Sequence, residues 1–195
     1  MGETGSTCSR QGRVWLVIAI VVGALVIDQA IKLYIATHFA LGESHAVTSW
    51  FWICFIENNG MAFGIEWFSK LALTLFRLLA VGLLGWYAHM LIHKPETKTG
   101  FLATIAFIIA GALGNIIDCV FYGKLFGYAG WFYGRVVDMF YFPLIHNNAG
   151  EVIFFRPVFN FADSCITCAV AVILLFYMKE LNQDSGVRNQ ESENK

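Results

Sequence analysis

Four stretches of the chain, residues 14–35, 68–92, 101–120 and 159–178, are mainly apolar, and each has about the 20 residues an α-helix needs to cross a bilayer core. Lipid offers no water to peptide groups, so such runs are predicted to be helices that satisfy their own backbone. Composition agrees, because 57% hydrophobic and 14% charged residues lie outside the mixture of a soluble domain. The expected fold class is an α-helical integral membrane protein with four transmembrane helices and a small extracytoplasmic β-sheet element. It is read as a single domain over residues 1–195 with a polar C-terminal tail over 179–195.

A formal net charge of -1 gives no reason to expect a nucleic-acid partner. The five cysteines show no even, spaced disulfide framework. Cys165 and Cys168 form a C-x-x-C inside an apolar run, with no further thiol or imidazole beside them, which reads as packing rather than redox or metal chemistry. No metal and no organic cofactor are expected. The first apolar run is too long, and too poor in a small-residue cleavage site, for a removed signal peptide, so it is expected to stay as a span. With the N-terminus inside, Arg10, Arg13, Lys94, Lys98, Lys179 and Arg188 fall on the cytoplasmic side, against Lys70, Lys124, Arg135 and Arg156 outside. This bias favours both termini cytoplasmic.

The two outer connections are longer and chemically distinctive. "TSWFWICFIENNGMAFGIEW" places aromatic and β-branched runs around Asn-Asn-Gly, a pattern for a strand, a tight turn and a return strand. The segment from Phe126 to Phe142 is crowded with aromatics that suit a membrane interface. Its glycines suggest a mobile cover. "EVIFFRPVF" leads as an extended segment into the fourth span.

Ionisable residues within or beside spans are costly, so each is a candidate for function, with structural pairing as the competing reading. Asp28 and Lys32 stand four apart on the first span and can pair on one face. "GALGNIID" combines small residues that permit close helix approach with Asn115, which can hydrogen-bond across it, and ends at Asp118. "GRVVDMF" places Asp138 in an apolar, extended setting, and Asp163 sits at the start of the fourth span. Two carboxyls at one depth cannot both ionise cheaply, so one holds a proton while its partner is charged. Such a pair can activate water and protonate a leaving amine, which is peptide hydrolysis without a covalent intermediate. It could equally carry protons, which keeps a small proton-coupled membrane carrier open as the alternative, and a noncatalytic scaffold as a third reading. Depth favours the peptidase, since transport sites tend to lie near the midplane. No Ser-His-Asp grouping and no H-E-x-x-H sequence offers a rival chemistry.

The blocks "DQAIK", "NNGMAFG", "GALGNIID", "GRVVDMF" and "FNFADS" occur in this order, and through them residues 14–178 resemble the lipoprotein signal peptidases, or signal peptidase II. The resemblance implies that Asp138 and Asp163 form a catalytic dyad, with functional or stabilising roles for Asp28, Lys32, Asn58, Gly60, Asn115, Asp118 and Asn160. It further implies cleavage of a diacylglyceryl-modified prolipoprotein just before its lipidated cysteine, at the extracytoplasmic face of the bacterial cytoplasmic (inner) membrane. The expected partners are that substrate and membrane lipid, and the expected state is a monomer. Two departures stand out: Cys119 occupies a position where the family usually has arginine, and the connection before "GRVVDMF" is long. Arg77 lies roughly 13 Å into the second span at 1.5 Å per residue. It is expected either to snorkel outward or to take over the lost charge role by reaching Asp118 or nearby carbonyls.

Overall fold

The computed structural model describes residues 9–59, 70–146, 152–154 and 157–182. Four helices within these residues are long and apolar enough to cross a membrane: α1 (Arg10–His38), α2 (Lys70–His93), α3 (Thr99–Leu125) and α4 (Phe161–Asn182). A three-stranded antiparallel sheet, β1 (Ser44–Ala46), β2 (Trp52–Asn58) and β3 (Val136–Tyr141), sits at one end of the bundle in the order β1-β2-β3. A smaller pair, β4 (Ile145–His146) and β5 (Val152–Phe154), lies beyond it.

The helices differ in what they bury. Along α1 the buried residues Ala24, Asp28, Lys32 and Ile35 recur every three or four positions, a single stripe facing the bundle. The rest of that helix exposes Trp15, Val22 and Val26, as expected where the surrounding solvent is lipid. The most enclosed helix is α3, against which α1, α2 and α4 all pack. Its small residues make this possible. A Cβ at Gly114 would meet Asp28 Oδ2 at 2.6 Å, and one at Gly111 would overlap the Ala162 carbonyl, so glycine lets α1 and α4 approach the α3 backbone directly.

Away from the sheet, Leu91, Phe101, Leu102, Ile105, Ile109 and Ile173 form one apolar cluster. The Arg13 guanidinium forks onto the carbonyls of Lys94 (2.5 Å) and Pro95 (2.6 Å), satisfying acceptors just past the end of α2. At the sheet end, Ile35 and Tyr122 from the helices pack with Phe55, Val137 and Met139 from the strands, which fastens the sheet to the bundle.

The strand expected before Asn-Asn-Gly is β2, hydrogen-bonded to β1 before it and to β3, with Ile56 opposite Asp138 and Asn58 opposite Val136. The return strand and Gly60 lie outside the described residues. The stretch from Phe126 to Phe142, expected to be a mobile cover, is tied to the end of α3 by backbone hydrogen bonds. Near its end α3 takes a π-helical turn over Asp118–Tyr122, whose freed carbonyls need partners. The following loop supplies them: Gly134 N donates to Cys119 O (2.8 Å), Phe132 N to Val120 O (3.1 Å) and Ala129 N to Gly123 O (3.0 Å). The stretch then becomes β3, with Phe140 bridged to Phe159 at the entrance to α4.

Candidate active site

Asp138 stands in the middle of β3, and Asp163 stands in the first turn of α4. Asn160 joins them. It is the N-cap of α4: its Oδ1 accepts from Asp163 N (2.9 Å), and Asp163 Oδ2 answers the Asn160 N–H at 3.5 Å, a capping box. That bond fixes the orientation of the Asn160 amide, leaving Nδ2 to donate to Asp138 Oδ1 (2.6 Å) and to Asn115 Oδ1 (3.1 Å).

A second amide is oriented by charge. Lys32 Nζ can only donate, so it takes Asn115 Oδ1 (2.9 Å) and turns Asn115 Nδ2 towards Asp163 Oδ1 (2.7 Å). Lys32 is fully buried and divides its three protons among Asn115, Asp28 Oδ2 (3.0 Å) and Asp118 Oδ2 (2.8 Å). Asp28 Oδ1 in turn accepts the Ala162 N–H (3.0 Å) and Asp118 Oδ2 accepts the Val137 N–H (3.2 Å). One ammonium thus ties together the backbone flanking each candidate catalytic aspartate: Ala162 precedes Asp163, and Val137 precedes Asp138.

Asn58 Nδ2, from the end of β2, donates to Asp138 Oδ2 (3.0 Å). Of the residues singled out in the sequence, Asp28, Lys32, Asn58, Asn115, Asp118, Asp138, Asn160 and Asp163 therefore join one hydrogen-bonded network. Arg77 stands beside it. Its Nη1 donates to Cys119 Sγ (3.0 Å) rather than to Asp118, whose oxygens are occupied by Gln29, Lys32 and the Val137 N–H. The sequence reading missed Gln29 and Tyr122, which complete the shell around Asp118. Their only signal was polarity within an apolar run. Cys165 is buried against Ala24 and Ala110, and Cys168 is exposed.

Burial pushes the Asp138 carboxyl from the ordinary 3.8 up to about 6, opposed by the Asn58 hydrogen bond, reinforced by the charge of Asp163 and opposed again by Asn160 and Lys32. The folded protein therefore binds this proton more tightly than the unfolded chain does. Asp138 favours folding most below about pH 4, and loses that advantage as pH rises through about 6. If Asp138 supplies a proton during catalysis, the alkaline limb of kcat/KM follows the same group. Asn58→Ala removes a donor that stabilises the ionised form, so the limb is expected to move to higher pH. A kcat/KM profile between pH 5 and 9 checks this, and a limb moving downward would contradict the assignment.

A carboxylate pair on a strand and a helix N-terminus, held by asparagines over a four-span bundle, can be compared with known proteins. Residues 20–179 match the family described as Signal peptidase (SPase) II. The chain belongs to this signal peptidase II family. It is accordingly a membrane-embedded aspartic-type peptidase, and the carrier reading is not favoured. Among relatives, the lipoprotein signal peptidase of Porphyromonas gingivalis is 45% identical over 196 residues, covering 88% of this chain and 86% of that one. That of Amoebophilus asiaticus is 34% identical, covering 84% and 78%. A solved structure described as a bacterial membrane enzyme, determined by the in meso method at 2.3 Å, superimposes with a TM-score of 0.64 at 28% identity, covering 86% of this chain and 90% of that one. In this signal peptidase II the four spans and small sheet are thus a shared architecture.

Proposed function

We propose that this signal peptidase II cleaves diacylglyceryl-modified prolipoproteins just before the lipidated cysteine, with Asp138 and Asp163 as its catalytic dyad. The observation that carries the proposal is that a single asparagine, Asn160, donates its side-chain amide to Asp138 Oδ1 (2.6 Å) and its backbone N–H to Asp163 Oδ2 (3.5 Å) where the sheet meets a membrane span. A lipid-modified substrate can reach such a place without leaving the bilayer.

The hydrogen bonds support a division of roles. Among the described residues Asp163 accepts a short amide bond on Oδ1 and only a 3.5 Å contact on Oδ2, which suits Oδ2 to take a proton from water. The water oxygen attacks the scissile carbonyl while Asp138, the group with raised proton affinity, gives its proton to the reacting amide. The C–N bond breaks, the water oxygen remains in the new carboxyl terminus of the signal peptide, and the lipidated cysteine departs with a free amine. The proton gained by Asp163 then restores Asp138. Substrate binding excludes water and raises the proton affinity of Asp138 further.

The enzyme acts as a monomer, with membrane lipid around it and no nucleic-acid partner. Its site faces the extracytoplasmic side of the bacterial inner membrane and both termini are cytoplasmic, a placement supported by the lysine and arginine distribution. The test is a gel-shift assay on one purified precursor with and without its diacylglyceryl group. Cleavage of the lipidated form alone is expected, and equal cleavage of both would overturn the substrate assignment.

Arg77 has a role in the same proposal. Its guanidinium occupies the side of α3 where the resemblance implies an arginine at position 119, and it reaches that position through Cys119 Sγ. Arg77→Leu is expected to lower activity and thermal stability. Adding Cys119→Arg should restore part of both, a coupling read in a double-mutant cycle. Strictly additive effects would reject the compensation.

A further inference from the structure

Gln29 lies on α1 one residue beyond Asp28, half-buried, with its carboxamide at the centre of four partners. Its Nε2 approaches three acceptors: Asp28 Oδ2 (3.0 Å), Asp118 Oδ1 (3.1 Å) and the Gly114 carbonyl (3.2 Å). Its Oε1 accepts the hydroxyl of Tyr122 (3.1 Å), a side chain that is 2% exposed. The opposite amide orientation would aim an oxygen at two carboxylates and a carbonyl, so only the observed one is compatible with its surroundings. Tyr122 has one hydroxyl proton and gives it to this amide.

The consequence runs through Asp118. Gln29 holds Oδ1, while Lys32 and the Val137 N–H share Oδ2, so the carboxylate cannot rotate without losing a bond on one side. Val137 is the residue before Asp138, and both of its neighbours on β3 lie opposite β2 residues in the register that sets Asp138 against Ile56. Asp118 is therefore the clamp on the strand that presents Asp138, and Gln29 with Tyr122 sets the angle of the clamp. A buried carboxylate held on only one oxygen would leave that strand free to shift, and a displacement of the order of 1 Å at a reacting group is enough to cost about a hundredfold in rate.

We propose that Gln29 and Tyr122 are positioning residues for the peptidase reaction, acting through Asp118 and the Val137 N–H on the placement of Asp138. The proposal rests on the reading of Asp138 as a dyad member. It assigns a purpose to a neutral pair of residues that touch neither dyad carboxylate in the structure.

The experiment uses the full-length enzyme in detergent or nanodiscs and a diacylglyceryl-modified precursor, with rates divided by the folded fraction. Gln29→Met, which keeps the length and removes the hydrogen bonds, is expected to lower kcat about tenfold, the loss that follows from a missing hydrogen bond to a charged group. KM should stay within about twofold, because the amide is placed to orient the reacting group rather than to bind substrate. Tyr122→Phe should lower kcat by a smaller factor in the same manner. The decisive test is a double-mutant cycle: in an Asp118→Asn background Gln29→Met should lower kcat by much less than the factor it costs alone, because the amide acts through that carboxylate. Wild-type kcat in both Gln29→Met and Tyr122→Phe, or a Gln29→Met loss as large in the Asp118→Asn background as in the wild type, would overturn the proposal. Asp163→Asn, assayed alongside, separates the two levels: if that variant is inactive while the Gln29 and Tyr122 variants keep wild-type kcat, the dyad stands and the positioning role falls.

Discussion

Lys32→Met is expected to destabilise the protein by about 3–5 kcal/mol, because it leaves buried carboxylates without their cation. Lys32 and Asp118 are fully enclosed and Asp28 is 2% exposed, so water cannot replace the ammonium. The three helices that meet there would lose their common tie: α1 supplies Asp28 and Lys32, α3 supplies Asn115 and Asp118, and the Ala162 N–H of α4 rests on Asp28. For a chain of this size the loss corresponds to a fall in melting temperature of roughly 6–20 °C. Asp118→Asn in the Lys32→Met background should recover part of it by removing one uncompensated charge. Thermal unfolding in detergent, followed by tryptophan fluorescence, reads both effects. An unchanged melting temperature in Lys32→Met would show that the buried ion cluster does not hold the bundle together.

The same cluster shows how much was legible beforehand. The spans could be read because a bilayer forces long apolar runs and tolerates few exceptions. The exceptions, Asp28, Lys32, Asp118 and Asp163, were conspicuous for that reason. Their mutual arrangement was less accessible. The spacing of Asp28 and Lys32 gave one ion pair, but the second contact, to Asp118, depends on how closely α1 approaches α3, which Gly114 permits. The pairing of β2 with β3 was hidden because it joins Ile56 to Asp138 across a long stretch of sequence, whereas Asn-Asn-Gly advertised a local turn. Arg77 was marked out by its depth, yet a long side chain leaves its partner open, and Cys119 was not the acceptor expected. Gln29 carries no charge and sits beside two charged residues in "DQAIK", so its polarity within an apolar run was its one local signal.

Replacing either aspartate of the proposed dyad by asparagine is expected to reduce cleavage by about a thousandfold, within the range for loss of a general acid or base. The two substitutions are not equivalent. Both oxygens of Asp138 accept amide hydrogens, from Asn160 and Asn58, so Asp138→Asn opposes two donors on one side and costs about 1–3 kcal/mol of stability as well as the chemistry. Asp163→Asn can keep its oxygen towards Asn115 Nδ2 and turn its new amide to the position of Oδ2, where the Asn160 N–H at 3.5 Å is the one donor among the described residues. It therefore removes the proton acceptor while disturbing the fold least. The most direct measurement is the rate at which purified Asp163→Asn converts a diacylglyceryl-modified precursor, followed by gel shift beside the wild type, with melting temperatures recorded on the same samples. The predicted result is a protein that melts within a few degrees of wild type and yields no detectable cleavage in the time wild type needs for completion. Cleavage at a near wild-type rate by the folded variant would contradict the dyad.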